Sequence, residues 1–103
     1  MEFKGTKGKW ELKHSQSKNA FNVVGTKLGG RYKVARLPYE ASFNMSKEFN
    51  EKAYYEQKAN ALLISKAPEM LEMLYNVREI LVDVGRLQEA FNIDELIKQA
   101  TEL

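Results

Sequence analysis

The chain of 103 residues contains no cysteine, only two prolines and one histidine, and it has no long apolar run. The lack of cysteine excludes disulfides, thiolate zinc sites and thiol nucleophiles. His14 alone cannot supply a multi-histidine metal site, so we expect neither a metal nor another cofactor. No segment approaches the roughly 20 apolar residues that span a bilayer, and the first residues do not resemble a signal peptide. We therefore expect a cytoplasmic protein without a membrane partner.

Positive charge is concentrated in the first part of the chain. Residues 1–40 hold nine Lys and Arg against three Glu, a balance of +6, whereas residues 41–103 hold seven against eleven acidic residues, a balance of −4. The basic part favours anions such as nucleotides or nucleic acid, although a solvated lysine-rich surface has the same composition. Parts of opposite sign also suit packing between copies, and they predict a homo-oligomer.

The residues before Pro38 predict a three-stranded antiparallel β-meander over about 9–37. Trp10 and Leu12 alternate with charged residues, so they share one face of the first strand. Gly29 and Gly30 fit a turn with positive φ before the last strand. The three strands are predicted at 9–13, 21–24 and 31–37.

The remaining residues predict helices that pack on this sheet, which gives an α+β fold and one small domain over 1–103. Ser46 fits an N-cap, Pro68 fits the first turn of a second helix, and Gly85 fits its end. The two or three helices are predicted at about 47–66, 68–84 and 93–102. We expect residues 1–8 to be flexible and residues 86–103 to dock on the domain or to exchange between subunits.

The apolar faces of the two long helices differ in width. The inner face of the first helix is predicted to contain Phe49, Ala53, Ala59, Leu63 and Ile64, with Tyr54 and Tyr55 near its edges. The second helix has an apolar stripe at Met70, Leu74, Val77, Leu81 and Val84, which Leu71, Met73 and Ile80 broaden. Because one sheet needs only one stripe, the second helix predicts an additional partner.

Basic residues alternate with aromatic residues in the predicted sheet. Cations hold phosphates and an aromatic ring stacks on a base, so this combination is typical of nucleotide and nucleic-acid sites. A lone tryptophan is also a common core residue, and that interpretation stays open for Trp10. The predicted ligand-binding residues are Trp10, Lys13, His14, Arg31, Tyr32, Lys33 and Arg36.

No combination of residues predicts catalysis. His14 precedes Ser15, but a nucleophile and base also need an orienting group and an oxyanion hole. The acidic residues of the second helix are adequately explained as solvated charges. These residues are Glu69, Glu72, Glu79 and Asp83. We therefore expect a protein that is not an enzyme.

Asn60 is a polar residue between Ala59 and Ala61, directly before an apolar run. We interpret its amide as a structural group that bonds to the sheet or to the loop before Pro68, because buried amides nearly always find such partners. A ligand contact is the alternative.

The segment from Ala59 to Glu72 has the pattern Ala-Asn-Ala-x-Leu-Ile-x-x-Ala-Pro-Glu-Met-Leu-Glu. It resembles a family of small phage and prophage proteins in which a Gly-x-Trp strand and a short β-meander precede the same helical segment. Gly8-Lys9-Trp10 matches that layout, and the resemblance covers about residues 8–84. The linker at 38–47 is longer here, and the tail beyond Gly85 has no counterpart in the pattern.

The resemblance implies a phage protein in the cytoplasm of the host, acting by binding in counter-defence. The first hypothesis is a homo-oligomeric sponge for an anionic immune signal, such as a cyclic nucleotide or an ADP-ribose derivative. The alternative is an inhibitor that binds a host or defence protein through the acidic helical face or an apolar groove. A nucleic-acid-binding accessory protein is a third hypothesis.

Overall fold

The computed structural model describes residues 3–26, 32–39 and 46–102. All strands precede all α-helices in the chain, which confirms the predicted α+β class with a β-meander. The strands are β1 (Trp10–Ser15), β2 (Ala20–Gly25) and β3 (Tyr32–Pro38), and the helices are α1 (Lys47–Ser65), α2 (Ala67–Asp83) and α3 (Leu87–Thr101).

The chain forms two compact units, and each has its own packing. The sheet unit is Thr6–Ala67, and the helical unit joins Met1–Gly5 to Pro68–Leu103. The sheet unit contains the β-meander and α1, whereas the helical unit contains α2 and α3. The single domain over 1–103 and the flexible segment 1–8 stay predictions.

The sheet has the antiparallel order β1-β2-β3. A short 3-10 turn, Gln16–Lys18, joins β1 to β2 and ends at Asn19, whose φ of 47° lies in the left-handed region that asparagine tolerates. The Tyr39 N–H donates to the Asn19 carbonyl over 2.9 Å, so the same turn also holds the end of β3. The predicted turn at Gly29 and Gly30 lies outside the described residues.

The core of the sheet unit lies between the inner face of the sheet and α1. Phe21 and Val23 of β2 are buried together with Ala61 of α1. Burial of these side chains supplies most of the stabilisation available to a unit of this size. The partly buried side chains packed around them are Trp10, Leu12, Val34, Ala35, Leu37, Tyr39, Tyr54 and Ile64.

The N-cap predicted for α1 is confirmed, but part of its predicted inner face is wrong. The Ser46 side chain accepts a hydrogen bond from the Phe49 N–H over 3.1 Å. However, Phe49, Ala59 and Leu63 are exposed, and Ala61 is buried instead.

The orientation of α1 follows from the small residues on its inner side. Ala61 and Ser65 are buried, and Tyr54 and Ile64 pack on the same side. Small side chains allow α1 to approach β2 closely. The side of α1 that contains Ala61 and Ser65 therefore packs on the sheet, in preference to the side with bulkier residues. Leu63 therefore faces outward.

A glycine turn joins α2 to α3. Gly85 has φ +80°, the Arg86 N–H donates to the Leu81 carbonyl over 2.8 Å, and the Gly85 N–H donates to the Val82 carbonyl over 3.1 Å. This is a Schellman motif, which ends a helix and reverses the chain. The predictions that Pro68 lies in the first turn of α2 and that Gly85 ends it are confirmed.

The predicted start of the last helix, residue 93, is wrong. α3 begins at Leu87, directly after the glycine turn, and its buried residues are Ala90, Ile97 and Thr101. Their spacing of seven and four residues keeps them on one side of the helix. Because Ala90 is buried on the same side as Ile97 and Thr101, the helical turn before residue 93 also packs in the unit and is part of α3.

Candidate functional site

Three of the predicted cationic residues lie on the outer face of the sheet, the face opposite α1. In the strand register Lys13 of β1 pairs with Asn22 of β2, and Asn22 pairs with Arg36 of β3. Directly opposed residues point to the same side, so the side chains of Lys13, Asn22 and Arg36 form a row across the sheet. Lys33 also lies on this side, opposite Val24.

A β-bulge brings Lys33 and Arg36 to the same face. Residues three apart on a regular strand point to opposite faces. Here the register shifts between Val23 and Val24, and Val34 is the extra residue of β3. Val34 and Ala35 both pack on the core, so Lys33 and Arg36 on either side of them both face outward.

We name Lys13, Asn22, Lys33 and Arg36 the outer basic face. Lys13 Nζ lies 3.6 Å from Glu11 Oε2, and both side chains are more than half exposed. Arg36 Nη2 donates a long hydrogen bond of 3.4 Å to the Lys18 carbonyl. Since the three cations outnumber Glu11, the face attracts anions.

Asn22 has a polar atom that the fold leaves unsatisfied. Its Oδ1 is buried and has no hydrogen-bond partner among the described residues. A buried amide oxygen without a donor is costly.

Trp10 and His14 lie on the inner face of the sheet. Trp10 packs against the core and its Nε1 donates to the Thr6 carbonyl over 3.0 Å. His14 stacks on Phe21 with ring centroids 4.6 Å apart. The predicted ligand-binding set is therefore divided between two faces, and neither ring can stack on a base held at the outer basic face of the same chain.

Two members of that set cannot be placed. Arg31 and the side chain of Tyr32 lie outside the described residues, and only the backbone of Tyr32, paired with Gly25, is described.

An aromatic cluster surrounds His14. Its Nε2 shares a 2.7 Å hydrogen bond with the Tyr39 hydroxyl, and its ring meets the edge of Tyr54 at 5.6 Å. Tyr39 and Tyr54 are T-shaped at 5.1 Å. Burial, and to a lesser extent repulsion from an ionised Tyr54, raises the pKa of Tyr39. At neutral pH the Tyr39 phenol is therefore protonated and can donate to the imidazole.

A shallow groove of about 370 Å³ opens beside the cluster, between the end of β3 and α1. Glu56 is the charged residue among those that line it, and the others are apolar or neutral. An anion is therefore disfavoured here, whereas a cationic or hydrogen-bond-donating group fits. The lining residues are Pro38, Tyr39, Phe49, Ala53, Glu56, Gln57 and Asn60.

Asn60 belongs to this groove, and the expectation that it bonds inside the fold is corrected. Its side chain is exposed, and its Nδ2 donates to Gln57 Oε1 over 3.0 Å. Gln57 Nε2 in turn donates to the Pro38 carbonyl over 3.0 Å. Asn60 is thus connected to β3 through Gln57, a residue that the sequence did not indicate. The spacing of three residues between the two amides was the available signal.

The described residues offer little for metal or acid–base chemistry. Within residues 3–26, 32–39 and 46–102, no group of three or more His, Asp or Glu side chains could hold a metal ion. On α2, Glu72, Glu79 and Asp83 are exposed, whereas both carboxylate oxygens of Glu69 are buried and have no hydrogen-bond partner among the described residues. That the protein is not an enzyme stays a prediction.

No helix within the described residues is long and apolar enough to cross a bilayer.

Comparison with known proteins relates the chain to a phage protein family. The model of a family described as Salmonella phage P22 protein Y8K6 matches residues 1–102. Neither a curated protein nor a solved structure matches the chain.

Proposed function

The chain belongs to the family of Salmonella phage P22 protein Y8K6, and on that premise we propose that it acts without catalysis, as a homo-oligomer that sequesters an anionic nucleotide signal of host immunity. The site of action is the host cytoplasm. The observation that carries the proposal is the placement of Lys13, Lys33 and Arg36 on one face of the sheet. Cyclic nucleotides and ADP-ribose derivatives have the phosphate charge that such a face recognises.

Binding at this face combines charge with hydrogen bonding. The Arg36 guanidinium offers paired N–H donors to a phosphate, and the two ammonium groups add point charges. Trp10 and His14 do not take part in this face, because they lie on the other side of the sheet.

A thermal-shift panel of cyclic nucleotides and ADP-ribose derivatives in low salt tests the proposal. A ligand at about 100 times its Kd stabilises the folded state by roughly 2.7 kcal/mol, which raises the Tm by several degrees. The double variant Lys33→Gln, Arg36→Gln should lose this shift. Lys52→Gln, which removes an exposed cation from α1, is the matched control. The proposal fails if no ligand in the panel raises the Tm, or if the double variant responds like the control.

Inhibition of a host or defence protein by direct binding is the second candidate. It is favoured by the groove at Tyr39 and Phe49, where Glu56 provides a negative charge, and by the acidic side of α2. A protein partner would bind less tightly to Glu56→Lys and equally well to the Lys33, Arg36 double variant, which separates this function from the first.

Nucleic acid is a third ligand for the outer basic face. Its binding would weaken steeply as salt rises, because phosphate contacts release counterions. A small oligonucleotide titrated at two salt concentrations distinguishes it from a mononucleotide, whose fewer phosphates give a shallower dependence.

A further inference from the structure

α2 has a second apolar stripe that faces solvent. Its members are separated by three, four, three and four residues, which keeps them on one side of the helix over four turns. Met73 is 60% exposed, Ile80 59% and Val84 65%. We name this stripe the α2 seam. Its residues are Met70, Met73 and Ile80, the half-buried Val77, and Val84, which directly follows the last residue of α2.

The seam is not the side of α2 that contacts α3. That side contains Leu71, Leu74 and Leu81, which are half-buried, and Arg78, which pairs with Asp94 of α3. The apolar surface of α2 thus extends beyond what α3 covers. A helix that is apolar over such a wide arc is typical of a bundle with more than two helices.

The helical unit is also poorly buried on its own. Among its described residues only Ala90, Ile97 and Thr101 are buried, and α2 has no buried residue. Two helices of 17 and 15 residues with so small a core need further packing to be stable.

We infer that the α2 seam is the interface between two copies of this chain, with α2 of one copy against α2 of the other. A 3-4 repeat of apolar residues is self-complementary: the side chains of one helix fit between those of an identical helix. Two helical units joined in this way form a four-helix bundle. The inference rests on the homo-oligomer of the proposed function and locates its interface.

The exposed area of the seam suits this assignment. Covering the seam and its surroundings on each copy removes on the order of 1,000 Å² in total, which is the lower limit for a biological interface. Single exposed apolar residues need no partner, but an aligned row of this extent does.

The acidic residues beside the seam determine how the dimer responds to salt. Glu72 and Asp83 are exposed on the part of α2 that adjoins the seam on the side away from α3. In a dimer these like charges approach one another, so salt should tighten the association by screening them. If the partner were instead a basic amphipathic helix of another protein, salt would weaken the complex. Salt would then screen the attraction between the basic helix and the acidic residues of α2.

The first experiment measures the mass of the whole chain by light scattering after size exclusion. We expect twice the mass of one chain, with a dimer that tightens as salt rises. Ile80→Glu, which places a charge in the seam, should give a monomer, whereas Leu96→Glu on the exposed side of α3 should stay dimeric. A monomeric wild-type chain overturns the inference, and so does an Ile80→Glu variant that remains a dimer.

A second experiment does not depend on a disruptive substitution. The chain has no cysteine, so Val77→Cys introduces a single thiol at the centre of the seam. Residue 77 meets its counterpart whether the two helices run parallel or antiparallel, and the two Cα atoms then lie within disulfide reach. Val77→Cys should cross-link many times faster than Leu96→Cys under mild oxidation. Equal rates overturn the inference.

These results are separable from the ligand proposal. If the chain is a dimer that no nucleotide stabilises, the α2 interface is supported and the proposed nucleotide ligand is contradicted. If the chain is a monomer that nucleotides stabilise, the ligand is supported and the α2 interface is contradicted. A monomer that binds a Leu/Lys amphipathic peptide at the seam, more tightly at low salt, also overturns self-association and replaces it with a basic partner helix.

Discussion

Arg78 of α2 and Asp94 of α3 form an ion pair that connects the two helices, with Arg78 Nη1 donating to Asp94 Oδ1 across 2.9 Å. Both side chains are mostly buried, at 27% and 28% exposure. Lys98 Nζ lies 3.9 Å from the other oxygen of the same carboxylate. Since water screens this pair less than a surface pair, its loss leaves a partly buried charge without its closest partner.

Arg78→Gln should therefore lower the free energy of unfolding by about 1–3 kcal/mol, between the effects of surface and fully buried pairs. Urea denaturation followed by circular dichroism measures this loss. Arg86→Gln is the control, because Arg86 pairs with Glu89 at 64% and 45% exposure, and it should change stability by at most about 0.5 kcal/mol. Equal losses in the two variants would contradict the structural role of Arg78.

Gly85 is required for its backbone conformation and not for space. A Cβ at this position would meet nothing within 4 Å, but φ is +80°. Gly85→Ala should therefore cost about 1–2 kcal/mol through backbone strain alone. Gly85→Asn should cost less, because asparagine tolerates the left-handed region better. If alanine is tolerated as well as asparagine, the turn does not depend on this conformation.

Tyr39 gives the fold a dependence on alkaline pH. Burial raises its pKa, so the folded state favours the protonated phenol. The stabilisation is fully present below the pKa of the unfolded chain, about 10, and is lost as pH rises through the higher pKa of the folded state. Wild-type stability should fall in this range, and Tyr39→Phe should flatten the decline. Tyr55→Phe, which changes a phenol that is 63% exposed, is the matched control, and urea titrations at each pH measure the decline.

Local signals in the sequence predict elements that depend on one segment of the chain. Ser46, Pro68 and Gly85 each have the backbone role that their residue type favours, and Trp10 and Leu12 alternate as a half-buried strand requires. Their roles depend on neighbours a few residues away. The sequence alone is therefore sufficient for them.

Features that depend on a partner strand or helix were not predictable in the same way. Strict alternation places Lys33 and Arg36 on opposite faces, and the bulge at Val34 is visible only in the pairing with β2. α1 has apolar residues on two sides, so periodicity could not show that Ala61 would be buried and Leu63 exposed. Gln57 belongs to the site because it donates to the Pro38 carbonyl. This contact joins two segments that are far apart in the sequence, so no local pattern predicts it.

Trp10 provides a test of whether aromatic stacking contributes to binding, because its ring lies on the inner face. Trp10→Phe removes the hydrogen bond from Nε1 to the Thr6 carbonyl and part of the packing on the core. It should lower the free energy of unfolding by about 1–3 kcal/mol. The ligand-induced rise in Tm should persist, because the outer basic face is unchanged.

Arg36→Gln should have the opposite effects on stability and on ligand binding. Arg36 is exposed, and its hydrogen bond to the Lys18 carbonyl is long, at 3.4 Å. The stability of this variant should stay within about 0.5 kcal/mol of wild type, whereas the ligand-induced shift should shrink. A Trp10→Phe variant that keeps its stability but loses the shift would instead place the binding site on the inner face.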